Sequence, residues 1–238
     1  MSKRRLLLLS NSRNNGQGYL AHAKGILKEF LGQQVGRVLF IPYARVIPTL
    51  DDYASIVREG FKDSGYKLDS LHELKDPHEA IRTAEAIVVG GGNTFQLLHT
   101  LQQQNLLDGI KARLEAGVPY IGWSAGANVA CPSIKTTNDM PIVELQNFKA
   151  LGMVPFQINP HYVDFLQAEE RTETREERIL EFIEVNAGVY VVGLREGSIL
   201  RVEGPDISLS GDEGARVFRK GKEASNYTPK DSLQFLLD

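Results

Sequence analysis

Cysteine is nearly absent from this chain of 238 residues, in which Cys131 stands alone. A single cysteine excludes an intrachain disulfide and a cysteine-rich metal site, and it favours a reducing, cytoplasmic setting. Basic residues are not in excess either, since the formal net charge is −3 and no long run of lysine and arginine occurs. The composition therefore indicates neither nucleic acid nor another polyanion as a partner.

Long hydrophobic runs are also missing. The basic residues and leucines at the start, ending with Leu6–Leu9, imitate a signal peptide, but the polar stretch "SNSRNNGQG" follows at once. A signal peptide needs about 7–15 apolar residues, and a membrane span needs ~20. We therefore interpret the leucines as a buried first strand and expect a cytoplasmic protein with no membrane partner.

Short apolar runs alternate with longer amphipathic ones through the first half of the chain. Runs such as "RVLFIPYA", "AIVVGGG" and "VPYIG" read as strands, and stretches such as "DDYASIVREGFKDSG" read as helices. This order predicts an α/β fold whose mostly parallel sheet has helices on both faces. From Ile199 onward, short strands between glycine or proline turns predict antiparallel strands at one edge. We expect residues 1–238 to form a single domain, because no linker or repeat interrupts them.

The segment "GWSAG" has the G-x-S-x-G spacing of a nucleophile elbow, with Ser124 at its centre. A nucleophile on a sharp strand-to-helix turn needs small neighbours, and "VPYI" before it and a helix-compatible run after it supply the right context. The N–H of Ala125 would then face an oxyanion. The alternative is a glycine-lined turn in which Ser124 caps the helix.

A reactive serine needs a base, and the histidines are the candidates. His161, in "QINPHY", follows a strand and a proline, and reactive groups gather at the carboxyl ends of parallel strands. The other histidines lie in predicted helices or beside a weak strand, where surface, capping or core roles are usual. They are His22, His72, His78 and His99. His161 is therefore the preferred base.

Two acidic residues could orient the histidine. Asp139 lies in the polar loop "TTNDMP", and Glu196 follows the apolar strand "VYVVGL". The chain order serine–aspartate–histidine would match α/β-hydrolases, whereas serine–histidine–glutamate would not. Either residue could also be a solvated surface charge, so the residues alone leave this choice open.

A second glycine cluster, "VVGGGNTF", also lies between an apolar strand and a helix. Such a turn can hold phosphate at a helix N-terminus. However, Phe95 occupies the position of the third glycine in the dinucleotide fingerprint, and the lysine of a P-loop is missing. In a serine hydrolase its N–H groups would instead complete an oxyanion hole. A purely structural turn is the remaining reading.

Arg175 stands in an unusual place. Thr174 and Glu177 have capping-box spacing, which puts Arg175 in the first turn of a helix, where its charge opposes the helix dipole. A guanidinium fits there if it receives an anion such as a substrate carboxylate. The alternative is that Glu170 and Glu176 neutralise it.

Together these motifs resemble those of the peptidase E family, the α-aspartyl dipeptidases. The resemblance covers nearly the whole chain and thins after about Gly204. It is carried, in order, by "LLLLSNS", "VVGGGNTFQLL", "YIGWSAGAN", "ACP-I-TTNDMPIV", "QINPH", "TRE-R" and "GL-EG". It implies a serine peptidase for dipeptides with N-terminal aspartate, on a fold similar to class I glutamine amidotransferases.

The resemblance also implies a set of site residues. Ser124 matches the nucleophile and His161 the base, while Asp139 and Glu196 match two candidate positions for the acid. The serine–histidine–glutamate order of the amidotransferase-like fold favours Glu196, with Asp139 shaping the pocket. The remaining implied residues are Gly92 and Ala125 for the oxyanion hole, and Arg175, Asn93 and Asn138 for substrate binding, with Arg175 on the β-carboxylate.

The implied enzyme needs no metal or cofactor, takes small Asp-X peptides, and is a monomer or homodimer. Two rival interpretations differ in substrate or in class. One is a cyanophycinase-like or other aspartyl-peptide hydrolase that keeps the same nucleophile. The other is a catalytically silent nucleotide-binding module built on "GGGNT".

Overall fold

Two β-sheets form the centre of the protein in a computed structural model that describes residues 3–62, 64–164 and 173–238. The strands are β1 (Arg5–Leu9), β2 (Arg37–Ile41), β3 (Lys67–Ser70), β4 (Ile87–Val89), β5 (Tyr120–Trp123), β6 (Gln157–Tyr162), β7 (Val191–Arg195), β8 (Ile199–Glu203), β9 (Asp206–Ser210), β10 (Ala215–Arg219) and β11 (Lys222–Tyr227). The helices are α1 (Lys24–Leu31), α2 (Leu50–Phe61), α3 (Pro77–Thr83), α4 (Thr94–Gln103), α5 (Leu107–Glu115), α6 (Ala125–Val129) and α7 (Arg175–Val185).

The larger sheet has the order β3-β2-β4-β5-β1-β8-β9, and its first five strands are parallel. The leucines of β1 lie at its centre and are fully buried. Leu6 and Leu8 join the hydrophobic cluster on one face, and Leu7 and Leu9 join the cluster on the other. Apolar side chains thus point both ways along one strand, as expected for a sheet covered on both faces. The predicted mostly parallel α/β fold is confirmed.

The C-terminal strands divide between two sheets. β8 and β9 extend the larger sheet as antiparallel strands, as predicted for its edge. In contrast, β10 pairs with β7 and β11, so that the second sheet has the order β11-β10-β7-β6. Within this sheet β6 and β7 are parallel. The second sheet was not part of the predicted fold, because the sequence of a short strand does not reveal which distant strand it pairs with.

One hydrophobic cluster connects the two sheets. It contains Leu8 and Val89 of the larger sheet together with Val192 and Ala215 of the smaller one, all of them buried. A shared core of this kind supports the expectation that residues 1–238 form one domain, which stays a prediction.

None of the helices in the described ranges is long and apolar enough to span a bilayer. This finding agrees with the absence of long apolar runs in the sequence. The cytoplasmic location inferred from cysteine usage stays a prediction.

His22 lies in a single helical turn before α1, and its side chain is half-buried with both ring nitrogens inaccessible to solvent. Neither ring nitrogen has a partner among the described residues, and burial lowers the pKa of His22 below its ordinary 6.5. Below pH 6.5 the unfolded chain therefore binds more protons at this residue than the native state, so stability rises with pH through this window. We expect the melting temperature of wild type to fall on acidification below pH 6.5, and His22→Leu to weaken that dependence.

Thermal denaturation at a series of pH values measures this effect, with His78→Leu as the matched control, since His78 is exposed at the first turn of α3. A His22→Leu variant whose melting temperature follows pH as steeply as wild type would contradict the prediction.

Candidate active site

Ser124 occupies the turn between β5 and α6. Its φ is 53° and its ψ is −114°, a conformation that non-glycine residues rarely adopt and that costs about 1–3 kcal/mol. The N–H of Ser124 donates to the carbonyl of Leu9, 3.0 Å away, which ties the turn to β1. The Ser124 side chain makes no capping hydrogen bond to α6. The geometry is therefore that of a strained strand-to-helix elbow rather than a capped helix start.

The glycines around Ser124 are required by close contacts. A Cβ on Gly126 would lie 2.2 Å from the carbonyl oxygen of Val89, and one on Gly122 would lie 2.4 Å from that of Gly126. A Cβ on Gly91 would lie 2.9 Å from the Cβ of Ser124. Any side chain at these positions would displace the elbow, which explains the spacing of small residues in "GWSAG" and the adjoining "GGG".

His161 lies next to the serine and has an irregular backbone. β6 includes Pro160 and His161, but its pairing with β7 shifts register between Asn159 and Tyr162. A proline without an N–H is tolerated at such a bulge. The φ of His161 is 54°, and the bulge turns its ring toward the elbow, where Nε2 lies 3.0 Å from the Oγ of Ser124.

Glu196 completes a hydrogen-bonded chain with these two residues. Its Oε1 lies 2.6 Å from the Nδ1 of His161. An ionised carboxylate can only accept, so Nδ1–H donates to Glu196 and Nε2 is left to accept the proton of Ser124. A serine, an imidazole and a carboxylate linked in this order form an arrangement that can activate a hydroxyl as a nucleophile.

Asp139 lies elsewhere, at the N-terminus of α4. Its Oδ2 accepts hydrogen bonds from the N–H of Thr94 at 2.7 Å, from the Thr94 hydroxyl at 2.5 Å and from the Thr137 hydroxyl at 3.0 Å. A carboxylate at this position stabilises the positive end of the helix. Of the two acids suggested by the sequence, the structure brings Glu196 into hydrogen-bond contact with His161 and gives Asp139 threonine partners.

The predicted oxyanion donors lie on the two turns that meet at Ser124. Ala125 is the first residue of α6, where backbone N–H groups have no partner within the helix. Gly92 has a φ of 147°, and its Cβ would lie 2.2 Å from the carbonyl oxygen of Ala44. The turn is held by the N–H of Asn93, which donates to that same carbonyl at 2.7 Å.

Asn93 and Asn138 make local hydrogen bonds in the structure. Asn93 caps α4 by accepting from the N–H of Gln96, and it donates to the carbonyl of Met140 at 2.8 Å. Asn138 donates to the carbonyl of Pro160 at 3.1 Å, directly before His161. Their predicted contacts with substrate stay predictions, while these bonds give both residues a part in shaping the loops.

Arg175 begins α7, preceded by the predicted capping box of Thr174 and Glu177, which the structure confirms. Its Nη1 donates to the carbonyl of Pro160 at 3.4 Å, so the guanidinium lies beside the backbone of His161. Burial lowers the pKa of Arg175, and the carboxylates of Glu196 and Asp139 oppose that effect.

The acidic neighbours proposed to neutralise Arg175 do not do so where the structure describes them. Glu176 accepts hydrogen bonds from Tyr162 and Arg216. Glu170 lies outside the described residues. Within the described ranges no ion pair joins Arg175 to a carboxylate, so the half-buried guanidinium has as its hydrogen-bond partner the backbone carbonyl that directly precedes His161.

Comparison with known proteins identifies the group to which this chain is related. The model of peptidase family S51 matches residues 6–210. The chain belongs to peptidase family S51. It is similar to "Peptidase E" of Nostoc sp. (50% identical over 238 residues, 100% of this chain and 98% of the relative). It is also similar to "Probable alpha-aspartyl dipeptidase" of Drosophila melanogaster (46% identical, 99% of this chain and 98% of the relative).

A solved structure, that of a peptidase from an acI-B1 Actinobacterium, has the same fold, with a TM-score of 0.74, 19% identity, and coverage of 98% of this chain and 97% of that one. The predicted resemblance to the peptidase E family is confirmed by these findings, as is the predicted class of enzyme. This S51 peptidase is a serine-type peptidase and therefore a hydrolase.

Two residues of this S51 peptidase contact the serine–histidine pair without having been singled out from the sequence. Gly91 lies against Ser124, and the hydroxyl of Ser10 accepts a hydrogen bond from the N–H of His161 at 2.8 Å. The run of three glycines before α4 contained the signal for Gly91. Ser10 belongs to the "LLLLSNS" motif, but its partner comes from a distant strand, so the sequence held no sign of the contact.

Proposed function

We propose that this S51 peptidase is a dipeptidase that hydrolyses dipeptides with an N-terminal aspartate, with Ser124 as nucleophile, His161 as base and Glu196 as the acid that orients it. The observation that carries the substrate assignment is the half-buried Arg175 guanidinium at the carbonyl of Pro160, directly before His161, without a carboxylate partner in the described residues. The relative in Drosophila is named a probable alpha-aspartyl dipeptidase, and that name supports the same substrate class.

The proposed reaction begins at the Ser124 hydroxyl. His161 Nε2, 3.0 Å from Oγ, takes the proton as Oγ attacks the scissile carbonyl. The N–H groups of Ala125 and Gly92 stabilise the oxyanion of the tetrahedral intermediate. The imidazolium then gives its proton to the leaving amine, which departs and leaves an acyl-enzyme.

Water completes the cycle. His161 removes a proton from the water as it attacks the acyl carbon, and the proton returns to Ser124 Oγ as the aspartate product leaves. Through both halves Glu196 accepts from Nδ1–H, which holds the imidazole in the required tautomer and stabilises its charged form.

Arg175 is proposed to select the substrate side chain. A guanidinium pairs with a carboxylate through two parallel hydrogen bonds, and burial in a water-poor site strengthens that pairing. Since Arg175 lies at the carbonyl of Pro160, an aspartate β-carboxylate held there would bring the scissile carbonyl toward Ser124. Asparagine has the same shape without the charge, so it should be a poor replacement.

Substituting Arg175 tests this assignment. We expect Arg175→Ala to lower kcat/KM for Asp-Leu by about 30-fold or more, as expected for the loss of a buried charge pair worth at least about 2 kcal/mol. The difference in kcat/KM between Asp-Leu and Asn-Leu should shrink at the same time. Hydrolysis rates of wild type and variant on both dipeptides measure the effect.

Arg178→Ala is the matched control, because Arg178 lies one turn further along α7, is exposed, and pairs with Glu173 at 2.7 Å. It should keep wild-type kinetics. Unchanged discrimination between Asp-Leu and Asn-Leu in Arg175→Ala would remove Arg175 from the substrate pocket.

The linkage of the aspartate separates the proposal from a cyanophycinase-like hydrolase. Wild type should cleave α-linked Asp-Leu much faster than its β-linked isomer, because the isomer exchanges the positions of the scissile carbonyl and the free carboxylate. Faster cleavage of the β-linked isomer would favour the rival substrate class while keeping the serine mechanism.

A further inference from the structure

Two polar residues at the end of β1, Ser10 and Asn11, are almost completely buried, at 0% and 2% exposure. They lie where the larger sheet meets the ends of β6 and β7. Neither takes part in the chemistry described above. Both make side-chain hydrogen bonds to the backbone next to His161 and Glu196, although these residues lie far away in the sequence.

The Ser10 hydroxyl bridges two strands of the smaller sheet. It accepts from the N–H of His161 at 2.8 Å and donates to the carbonyl of Leu194 at 2.8 Å. An N–H can only donate and a carbonyl can only accept, so the hydroxyl has one possible orientation. The bond to His161 falls within the bulge, where pairing between β6 and β7 shifts register.

The hydrogen bond from the His161 N–H to Ser10 affects the direction of the imidazole. With a φ of 54°, His161 has a backbone conformation that L residues seldom adopt and that the surrounding structure must impose. Its N–H donates to Ser10 in place of a ladder partner. Ser10 therefore helps to hold the backbone that aims the ring at Ser124.

Asn11 acts on the other side of the imidazole. Its Oδ1 accepts from the N–H of Gly197 at 2.8 Å, in the turn that directly follows Glu196. Its amide donates to the carbonyl of Arg13 and to Asn14 Oδ1, both at 2.9 Å, which fixes the orientation of the Asn11 side chain. The turn that presents Glu196 is thus tied to the same strand end as His161.

We infer that Ser10 and Asn11 are positioning residues, which set the placement of His161 and Glu196 relative to Ser124. The elbow itself is bound to the same strand, since the N–H of Ser124 donates to Leu9. One strand end thereby connects the nucleophile turn to both other members of the hydrogen-bonded chain. The inference rests on the proposed function, because the roles of His161 and Glu196 come from it.

A nearby buried serine provides the matched control. Ser198 is also 0% exposed, and its Oγ has no hydrogen-bond partner among the described residues. Ser10→Ala and Ser198→Ala remove the same atom from the same region, but Ser10→Ala alone removes bonds to the backbone of His161 and Leu194. Both variants are compared at a temperature where circular dichroism shows them fully folded.

The first measurement is the rate at which a fluorophosphonate probe labels Ser124, which requires an activated serine and no particular dipeptide. We expect Ser10→Ala to label about 10- to 100-fold more slowly than wild type, the loss expected when catalytic groups shift by a fraction of an ångström to 1 Å. Ser198→Ala should label like wild type. With Asp-Leu as substrate, the loss in Ser10→Ala should fall on kcat and leave KM unchanged.

The second measurement is the downfield proton resonance of the His161 Nδ1–H, which reports its hydrogen bond to Glu196 directly. Ser10→Ala and Asn11→Ala should each shift or broaden it, while Ser10→Thr, which keeps a hydroxyl, and Ser198→Ala should preserve it. Asn11→Ala keeps the inference testable if Ser10→Ala does not fold.

Wild-type labelling rates together with an unchanged resonance in folded Ser10→Ala and Asn11→Ala would overturn the inference, as would an equal loss in Ser198→Ala. A wild-type protein that labels normally but ignores Asp-Leu would refute the proposed substrate and leave the positioning result standing. A wild type that does not label would refute the serine mechanism, and the resonance would still decide the positioning roles.

Discussion

Ser124→Ala should lose hydrolysis of Asp-X dipeptides almost completely, with kcat falling by about 10⁴- to 10⁶-fold, as for other serine hydrolases that lose their nucleophile. Alanine removes the Oγ that His161 Nε2 contacts at 3.0 Å, and among the described residues no other hydroxyl is hydrogen-bonded to the His161 ring. The proposed oxyanion donors, the N–H groups of Ala125 and Gly92, are left in place by this substitution, which should limit the loss. The measurement is release of free aspartate at saturating substrate.

His161→Ala should have a comparable effect, and the double variant should be scarcely worse than either single one, because the two residues act as a unit. His99→Gln is the matched control. His99 lies on α4 and its Nδ1 bonds to the carbonyl of Glu144, away from the elbow. Ser124→Ala should melt like wild type, since alanine has the same backbone requirement at this φ. Substantial activity in folded Ser124→Ala would rule out the serine mechanism.

The parallel core could be predicted because a strand buried on both faces has apolar residues at every position. Leu6–Leu9 carry apolar side chains at every position, and the structure pairs them in register with Tyr120–Trp123 of β5. Residues from α1 and α2 cover one face, and residues from α4 and α5 cover the other. A continuous apolar run is a property of each strand alone, so it predicts a buried strand without knowledge of the strands that flank it.

The second sheet could not be predicted in the same way. In Ala215–Arg219 the arginines are half-buried and the other three residues are buried, a mixture that is compatible with a strand but does not indicate its partner. Its pairing with Val191–Leu194 joins segments separated by two intervening strands of the larger sheet. Which strand Ala215–Arg219 pairs with depends on how the two sheets pack on one core, and the local sequence pattern does not determine it.

The candidate site shows the same division. Ser124 and His161 can be predicted as nucleophile and base from the sequence, because an elbow and a strand end each have a local sequence pattern. The residues alone leave the choice between Asp139 and Glu196 open, since contact with His161 depends on the register of two strands. Tyr162 of β6 is paired with Arg195 of β7, so His161 and Glu196 come from adjacent positions at neighbouring strand ends. The fold-level resemblance favoured Glu196, and the register gives the physical reason for the contact.

Glu196→Gln should reduce kcat by about 10²- to 10³-fold, somewhat less than the ~10⁴-fold loss known for a fully buried triad aspartate. The smaller figure follows from solvent, since the Glu196 side chain is 55% exposed and water screens part of its interaction with the imidazolium. Glutamine keeps the length of the side chain, so the loss reports charge and tautomer rather than packing. KM should change little, because Glu196 acts through His161.

Asp139→Asn is the variant to compare with Glu196→Gln, because it removes the charge of the other candidate acid. The contacts of Asp139 are with Thr94 and Thr137, so removing its charge should cost α4 about 0.3–1 kcal/mol of stability through the helix dipole while kcat falls by less than about tenfold. Parallel measurement of kcat and melting temperature separates the two residues, since one variant should lose turnover and the other stability. A larger loss of kcat in Asp139→Asn than in Glu196→Gln would reassign the acid to Asp139. It would also mean that the loop carrying Asp139 moves toward His161 when substrate binds, because the carboxylate must leave its threonine partners to reach the imidazole.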